Sequence, residues 1–345
     1  MGETGIQILR DTPQVSVDVL PEFLPEVTPQ QIAGYDAVIS LAPAYTRRTL
    51  AATDLGLSVL ARVGVGYDML DMAALSERNV IVTITPDGVR RPMAAGIASF
   101  VLSLAHQVLQ KDRLVRRGAW SDKLNIKSVG LTGLTLGSVG LGNIGQEMFR
   151  LLAPFQMRHL ATDPFVTAGE AAASGVQLVD LETLMRESDF VCVNCPLSPE
   201  TRHLIGAEQF AWMKATAFFI NTSRGAIVDQ QALYEALKNS TIRGAALDVF
   251  ETEPIAADDP LLSFDNVMVT PHSLCWTDEC FRLMVQSAVY SVLSVLQGKV
   301  PAHVVNREVL EKPAMKSKLA ANRARWHAAA HEAGLGRKSP QADPV

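Results

Sequence analysis

The chain has 345 residues, 48% of them apolar and 19% charged, with a formal charge of −5; that length exceeds one ordinary hydrophobic core, so two domains are expected. The mild negative charge gives no electrostatic ground for a nucleic-acid partner or an anionic membrane. No apolar run reaches the roughly 18–20 residues that span a bilayer, and Met1 to Pro13 carries acids without the apolar stretch of a signal peptide, so a cytoplasmic protein is expected.

Residues 1–99 alternate short apolar segments with helical ones. Strands are predicted at Ile6–Leu9, Ala37–Leu41, Ser58–Val63 and Val80–Ile84, and a helix at Leu70–Arg78. Such alternation predicts a parallel sheet covered by helices. An apolar-periodic helix over about Ala94–Arg117 then runs toward Trp120. A second series follows, with strands at Thr135–Val139, Arg158–Ala161, Phe190–Asn194, Ala217–Asn221, Gly244–Asp248 and Val267–Thr270. Between the first two, Ile144, Met148, Leu151, Leu152 and Phe155 share one helical face. Six strands with helices between them match a complete doubly wound domain. Phe281–Leu296 reads as an amphipathic helix that returns the chain to the first domain. From Glu311 the sequence turns Ala-, Lys- and Arg-rich. It reads as a solvated tail rather than a surface helix near Leu319–Ala330, with Gly334–Val345 disordered.

Cys192 and Cys195 have CxxC spacing but lie in an apolar strand pattern, where a redox pair wants its first thiol at a helix N-terminus. Cys275 and Cys280 do not supply the second pair that a zinc site would need. Packed thiols are expected, and no metal.

Gly140-Leu141-Gly142-Asn143-Ile144-Gly145 directly follows the strand Thr135–Val139 and opens a helix. In such a turn the first glycine permits the tight bend, the second lets backbone approach a pyrophosphate, and the third lets helix pack on strand. The pyrophosphate then meets free N–H groups at the positive end of a helix dipole. Asp163 stands eighteen residues beyond Gly145, just past the next strand. A carboxylate there accepts hydrogen bonds from ribose hydroxyls and repels a 2′-phosphate, which predicts NAD over NADP.

Three later segments place polar residues at the carboxyl ends of predicted strands, where ligands bind in such sheets. They are Asn221-Thr222-Ser223-Arg224-Gly225, Leu247-Asp248-Val249-Phe250-Glu251-Thr252-Glu253-Pro254 and Thr270-Pro271-His272. A guanidinium grips a carboxylate as a two-pronged fork. A histidine takes a hydroxyl proton as hydride leaves the same carbon, and a carboxylate beside it orients the ring. Arg224, Glu253 and His272 are therefore the candidate catalytic residues for oxidation of a small 2-hydroxy acid.

With these motifs, and with Pro196-Leu197-Ser198-Pro199-Glu200-Thr201, the chain resembles the D-isomer-specific 2-hydroxyacid dehydrogenases over about residues 55–305. The resemblance implies two Rossmann-like, doubly wound parallel-sheet domains, the cofactor domain being inserted into a discontinuous, flavodoxin-like substrate domain. The expected boundaries are 1–99 plus 282–310 for the substrate domain, 100–281 for the NAD-binding domain, and 311–345 for the tail. It further implies that Arg224 binds the substrate carboxylate and carbonyl, that His272 is the acid/base with Glu253 as its partner, and that Asp248 holds the nicotinamide carboxamide. Cys195, Pro196, Thr201 and Thr222 would join Gly140, Gly142, Asn143, Ile144, Gly145 and Asp163 around NAD. Val63, Gly64 and Val65 would offer backbone N–H groups to the substrate carboxylate. A homodimer formed through the cofactor domain and the segment around Trp120 is implied as well.

This chain departs from the family pattern at Met69, Ile84, Ala95 and the turn Ser273-Leu274-Cys275-Trp276. Those departures leave the substrate's R-group open, with Trp276 as a candidate wall of the pocket and Arg90 and Arg91 as candidate anion contacts. Two other readings are compatible with the motifs. One is an NADH-responsive binding protein of the co-repressor type. The other is a formate- or phosphite-type dehydrogenase, although formate enzymes carry Gln where Glu253 stands.

Overall fold

A computed structural model describes residues 3–20, 24–52 and 55–332 and divides the chain into two compact units, residues 1–89 with 277–345 and residues 90–276. The unit boundaries fall at 89/90 and 276/277, and Pro313–Glu332 belongs to the first unit.

The first unit begins with α1 (Glu3–Arg10), α2 (Pro29–Ile32), β1 (Ala37–Ser40), β2 (Val59–Arg62), α3 (Met72–Glu77) and β3 (Ile81–Thr83). Its strands pair in parallel in the order β1-β2-β3. The strand expected at Ile6–Leu9 is instead the helix α1. A four-residue apolar run does not distinguish the two periods, and here it packs as a helix, with Leu9 buried.

α4 (Pro86–His106) carries the chain into the second unit, and α5 (Val108–Arg116) follows after a left-handed Gln107 (φ 52°). The single helix expected over Ala94–Arg117 is therefore two, bent by 60°, and the first starts at a proline well suited to an initial turn. The second unit continues with β4 (Thr135–Val139), α6 (Asn143–Leu152), β5 (Arg158–Thr162), α7 (Ala168–Ala173), β6 (Gln177–Leu178), α8 (Leu181–Glu187) and β7 (Phe190–Val193). After these come α9 (Ala207–Trp212), β8 (Phe218–Asn221), α10 (Gln230–Lys238), β9 (Gly244–Leu247) and β10 (Val267–Val269). All seven strands are parallel, in the order β10-β9-β8-β7-β4-β5-β6. The strand beyond the expected six is β6, whose two residues are too few to show a pattern. The chain reverses direction across the sheet between β4 and β7, and that switch point opens a crevice at the carboxyl ends of the strands. One face of the sheet is closed by Val191, Val193, Phe219, Ala245 and Val267 against Phe210, Leu233 and Leu237 from the helices.

The described residues end in the first unit with α11 (Asp278–Leu296) and α12 (Pro313–Glu332). By length and composition α11 is apolar enough to cross a membrane, contrary to the expectation that no such run exists. Its apolar face is buried inside this unit, through Cys280, Met284, Val285, Ala288, Val289 and Val292. α12 replaces the expected solvated tail. Met315 and Asn322 are buried, Asn322 Nδ2 donates to the Val295 carbonyl (3.1 Å), and Lys318 Nζ donates to the Leu57 carbonyl (2.7 Å). Gly334–Val345 lies outside the described residues.

Candidate active site

The three glycines after β4 differ in what surrounds them. Gly140 has φ +97°, and a Cβ there would lie 2.7 Å from the Cys195 amide nitrogen, so only glycine fits between the two strand ends at the switch point. A Cβ on Gly145 would press to 2.9 Å on the Gly140 carbonyl oxygen, whereas one on Gly142 would meet nothing within 4 Å. Gly145 thus sets how closely α6 approaches its strand. Gly142 leaves open space at the N-terminus of α6, where Asn143 and Ile144 begin the helix. That is the cradle a pyrophosphate needs, and the residues present fit a dinucleotide.

Asp163, just past β5, accepts a hydrogen bond from the Leu141 N–H on Oδ2 (2.8 Å) and one from the Phe165 N–H on Oδ1 (2.8 Å). It therefore shapes the glycine turn, and each oxygen keeps a further lone pair for a donor such as a hydroxyl. On the other side of the switch point, Thr201 Oγ1 donates to the Pro196 carbonyl (2.7 Å) and accepts from the Ser198 N–H (2.7 Å). The Ser223 hydroxyl donates to the Cys195 carbonyl. These bonds tie Cys195 and Pro196 to the segment after β8 that carries the buried Thr222. Burial pushes the Cys195 thiol up to about 11 and the Cys192 thiol higher still. Neither is a thiolate at neutral pH, as packed cysteines should not be. Among the described residues no three His, Cys, Asp or Glu side chains are grouped to hold a metal ion.

Arg224 follows β8 in a turn closed by Asn221, whose Nδ2 donates to the Arg224 carbonyl (2.9 Å) while its Oδ1 accepts from the Ser223 N–H (3.1 Å). Gly225 is required by packing, since a Cβ there would stand 1.9 Å from the Phe250 carbonyl. The turn bearing Arg224 is thereby seated against the loop bearing Glu253. In that loop Glu253 Oε1 accepts the Phe250 N–H (2.9 Å), and Oε2 lies 2.7 Å from His272 Nδ1. Burial raises the Glu253 carboxyl, but the His272 and Phe250 hydrogen bonds outweigh it, with help from the charges of His272 and Arg224. The group is held below its ordinary value. An ionised Glu253 accepts a hydrogen bond from Nδ1–H, so the neutral ring presents Nε2 as its basic atom.

His272 has φ 52°, an uncommon backbone conformation for a non-glycine residue, and Asp248 holds it there. The Asp248 carbonyl accepts the His272 N–H (2.8 Å). Its fully buried carboxylate Oδ1 accepts from Thr270 Oγ1 (2.5 Å), the Ser273 N–H (3.0 Å) and the Leu274 N–H (3.1 Å). Asp248, singled out by resemblance for the nicotinamide, is thus also the residue on which the histidine turn is built. Burial raises its carboxyl above the ordinary value despite those hydrogen bonds.

The remaining candidates are placed as follows. Val63–Val65 belongs to the first unit, directly after β2. Two of its three N–H groups are already engaged there, Val63 with the Ser40 carbonyl (2.8 Å) and Gly64 with Thr85 Oγ1 (2.7 Å). Trp276 closes the second unit and is 53% exposed. The residues that sequence reasoning missed are those that hold others in place: Asn221, Gly225 and the pair His203–Glu251. The first two were visible as part of the NTSRG segment, and Glu251 as part of LDVFETEP. His203 lay outside every motif.

A model of the D-isomer-specific 2-hydroxyacid dehydrogenase NAD-binding domain matches residues 98–273. The chain is 36% identical over 305 residues to a D-3-phosphoglycerate dehydrogenase of Methanocaldococcus jannaschii, covering 88% of this chain and 57% of that protein. It is 37% identical over 285 residues to a glyoxylate reductase of Korarchaeum cryptofilum, covering 82% and 86%. It therefore spans little more than half of the first relative and most of the second. The fold is similar to that of D-lactate dehydrogenase from Aquifex aeolicus, solved with NAD and lactic acid, with a TM-score of 0.77 at 25% identity over 86% of this chain and 94% of that one. The chain therefore belongs to the D-isomer-specific 2-hydroxyacid dehydrogenase family, with residues 98–273 as its NAD-binding domain.

Proposed function

We propose that this protein interconverts a small D-2-hydroxy acid and its 2-keto acid, with His272 as the acid/base and Arg224 as the anchor for carboxylate and carbonyl. The observation that carries this reading is the 2.7 Å contact between Glu253 and His272 Nδ1, on a loop packed against the Arg224 turn. NAD, when bound, takes or returns the hydride. In the oxidative direction the hydroxyl proton passes to His272 Nε2, and the ionised Glu253 stabilises the imidazolium so formed. In the reductive direction the same proton returns to the carbonyl oxygen. Arg224 holds the substrate by charge and by its planar fork. Formate oxidation removes no hydroxyl proton and has no use for this pair, so the contact favours the hydroxy-acid reading.

The Ser273–Trp276 turn leaves the histidine's own strand end, and Trp276 offers a large rigid apolar surface there. We assign it to the R-group, which favours an apolar or aromatic acid over a phosphorylated one. The Val65 N–H, which has no partner among the described residues, is the backbone group of Val63–Val65 best suited to a carboxylate. The chain is also proposed to be a homodimer. Trp120 (64% exposed), Leu124 (87%), Val108 and Val115 form an apolar series in the second unit, and α5 buries none of its residues.

The test is NADH oxidation with glyoxylate, phenylpyruvate and a phosphorylated 2-keto acid, on wild type and Trp276→Ala. Turnover of at least one acid is expected, with the ratio of kcat/KM values altered by the substitution. No turnover, together with capture of peptide partners only in the presence of NADH, would replace the enzyme by a binding protein. Equal ratios in both proteins would remove Trp276 from the pocket. Light scattering is expected to show a dimer that Leu124→Glu converts to monomer; a monomeric wild type would refute the assembly.

A further inference from the structure

A second imidazole–carboxylate pair lies beside the catalytic one, and neither the motifs nor the proton-transfer chemistry accounts for it. His203 Nε2 lies 2.6 Å from Glu251 Oε1, and Glu251 is two residues from Glu253. The backbone on either side shows what this pair spans. On one flank, the His203 N–H donates to the Ala226 carbonyl (2.9 Å) and the Ile205 N–H to the Ile227 carbonyl (3.1 Å), so residues 203–205 run alongside the turn that follows Arg224. On the other flank, Gly225 abuts the Phe250 carbonyl so closely that a Cβ could not be accommodated. The Arg224 turn is thus enclosed between two loops, and the His203–Glu251 contact joins those loops side chain to side chain. The Glu251 flank is further tied to the first residue of α10, since the Glu251 N–H donates to Gln230 Oε1 (3.0 Å), and Gln230 Nε2 donates to Asp259 Oδ2 (3.0 Å).

We propose that His203 and Glu251 are positioning residues, a clamp across the Arg224 turn that fixes Arg224 and Glu253 relative to each other. This inference rests on the proposed roles of Arg224 and Glu253. The physical argument is one of tolerance. A guanidinium that grips the substrate and a carboxylate that aims the acid/base sit on separate loops, and an error of about 1 Å between such groups costs up to about 100-fold in rate. A half-exposed imidazole–carboxylate hydrogen bond contributes little to global stability but removes one degree of freedom between the loops. The groups facing the catalytic ring are Glu253 and Asp248, with Arg224 facing Glu253 in turn. The clamp touches none of the reacting atoms and acts only through these.

The experiment compares wild type, His203→Ala and His203→Gln, whose amide can still donate to Glu251. For the best 2-keto acid with saturating NADH, His203→Ala is expected to lower kcat/KM by about 10- to 100-fold, through both KM and kcat. NADH affinity, measured by fluorescence, and melting temperature are expected to be unchanged, and His203→Gln to recover most of the loss. A substrate-free readout accompanies it. The ring 15N–1H resonance of His272, assigned by its absence in His272→Gln, is expected to shift or broaden in His203→Ala. Wild-type kcat/KM and resonance in His203→Ala would overturn the clamp, as would a loss that follows NADH affinity or one that His203→Gln does not restore. If the wild type reduces no 2-keto acid, the proposed function fails, and the His272 resonance alone decides the clamp.

Discussion

Replacing Asp248 separates what its shape contributes from what its charge contributes. Asp248→Ala removes the acceptor of three buried donors, Thr270 Oγ1 and the Ser273 and Leu274 N–H groups, all within 2.5–3.1 Å of Oδ1. A buried donor left without a partner costs about 1–3 kcal/mol. Allowing for relaxation of the turn, the loss is about 4 kcal/mol, or a fall of about 10 °C in Tm for a unit of this size. Asp248→Asn is expected to behave differently. Its Oδ1 can accept the same three bonds, and it removes a charge that burial disfavours, since the folded-state carboxyl lies above its ordinary value. A carboxyl with a raised folded value stabilises below its unfolded value of about 4 and loses that contribution as pH rises through the folded value. At neutral pH the ionised group is therefore a cost that asparagine relieves. Calorimetry at pH 7 should show Asp248→Ala melting about 10 °C below wild type and Asp248→Asn melting at or above wild type. Both should lose catalytic efficiency, the first by displacing His272 and the second by removing a charge beside it. An Asp248→Asn variant as unstable as Asp248→Ala, or an Asp248→Ala variant that melts like wild type, would refute this account of the histidine turn.

Asp163→Asn keeps an acceptor for the Leu141 N–H but removes the charge, so it should narrow the preference for NADH over NADPH without unfolding the glycine turn; equal kcat/KM for the two cofactors in wild type would refute the ribose assignment. His272→Gln should cost about 10²–10⁴-fold in turnover while NADH binding survives, and normal turnover would exclude His272 as the acid/base. Glu253 has a lowered folded value, so its stabilisation is present above the unfolded value of about 4.5 and fades as pH falls through the folded one. Over the working range it is an anion that accepts from the His272 ring, and Glu253→Gln should lower kcat/KM for keto-acid reduction while NADH binding survives; an unchanged kcat/KM would count against the pair. In the same unit His159 is partly buried, its ring tilted against that of Phe149 with centroids 4.6 Å apart, with Nε2 buried and unpartnered among the described residues, and burial lowers its folded value below 6.5. Neutral His159 therefore supports the fold above about pH 6.5, and this contribution is lost as pH falls through the folded value. His159→Phe should flatten the decline in Tm below about pH 6.5; an unchanged slope would show that the imidazole takes up its proton as readily in the folded state as in the unfolded one.

The sequence by itself determined the elements whose signal is local. The glycine turn could be read from the spacing of Gly140, Gly142 and Gly145, and at Gly140 and Gly145 a Cβ would collide with backbone. Nine of the ten strands were legible because each is a short apolar run bounded by a polar or glycine-rich turn, and Arg224, Glu253 and His272 because they end such strands. Tertiary structure decided the rest. Ile6–Leu9 has the composition of a strand, yet it is a helix packed in the first unit. Residues 313–332 owe their apolar content mostly to alanine, and they fold as α12 because Met315 is buried and the Lys318 and Asn322 side chains find backbone carbonyls of distant segments. The two-residue strand β6 exists only by pairing with β5. The same holds at the site. That Asp248 builds the histidine turn, or that His203 reaches Glu251, depends on contacts between residues 22 to 48 positions apart. A periodicity reports only which face of an element is apolar; which partner meets that face, and which donor meets which carboxylate, follows from how the elements pack.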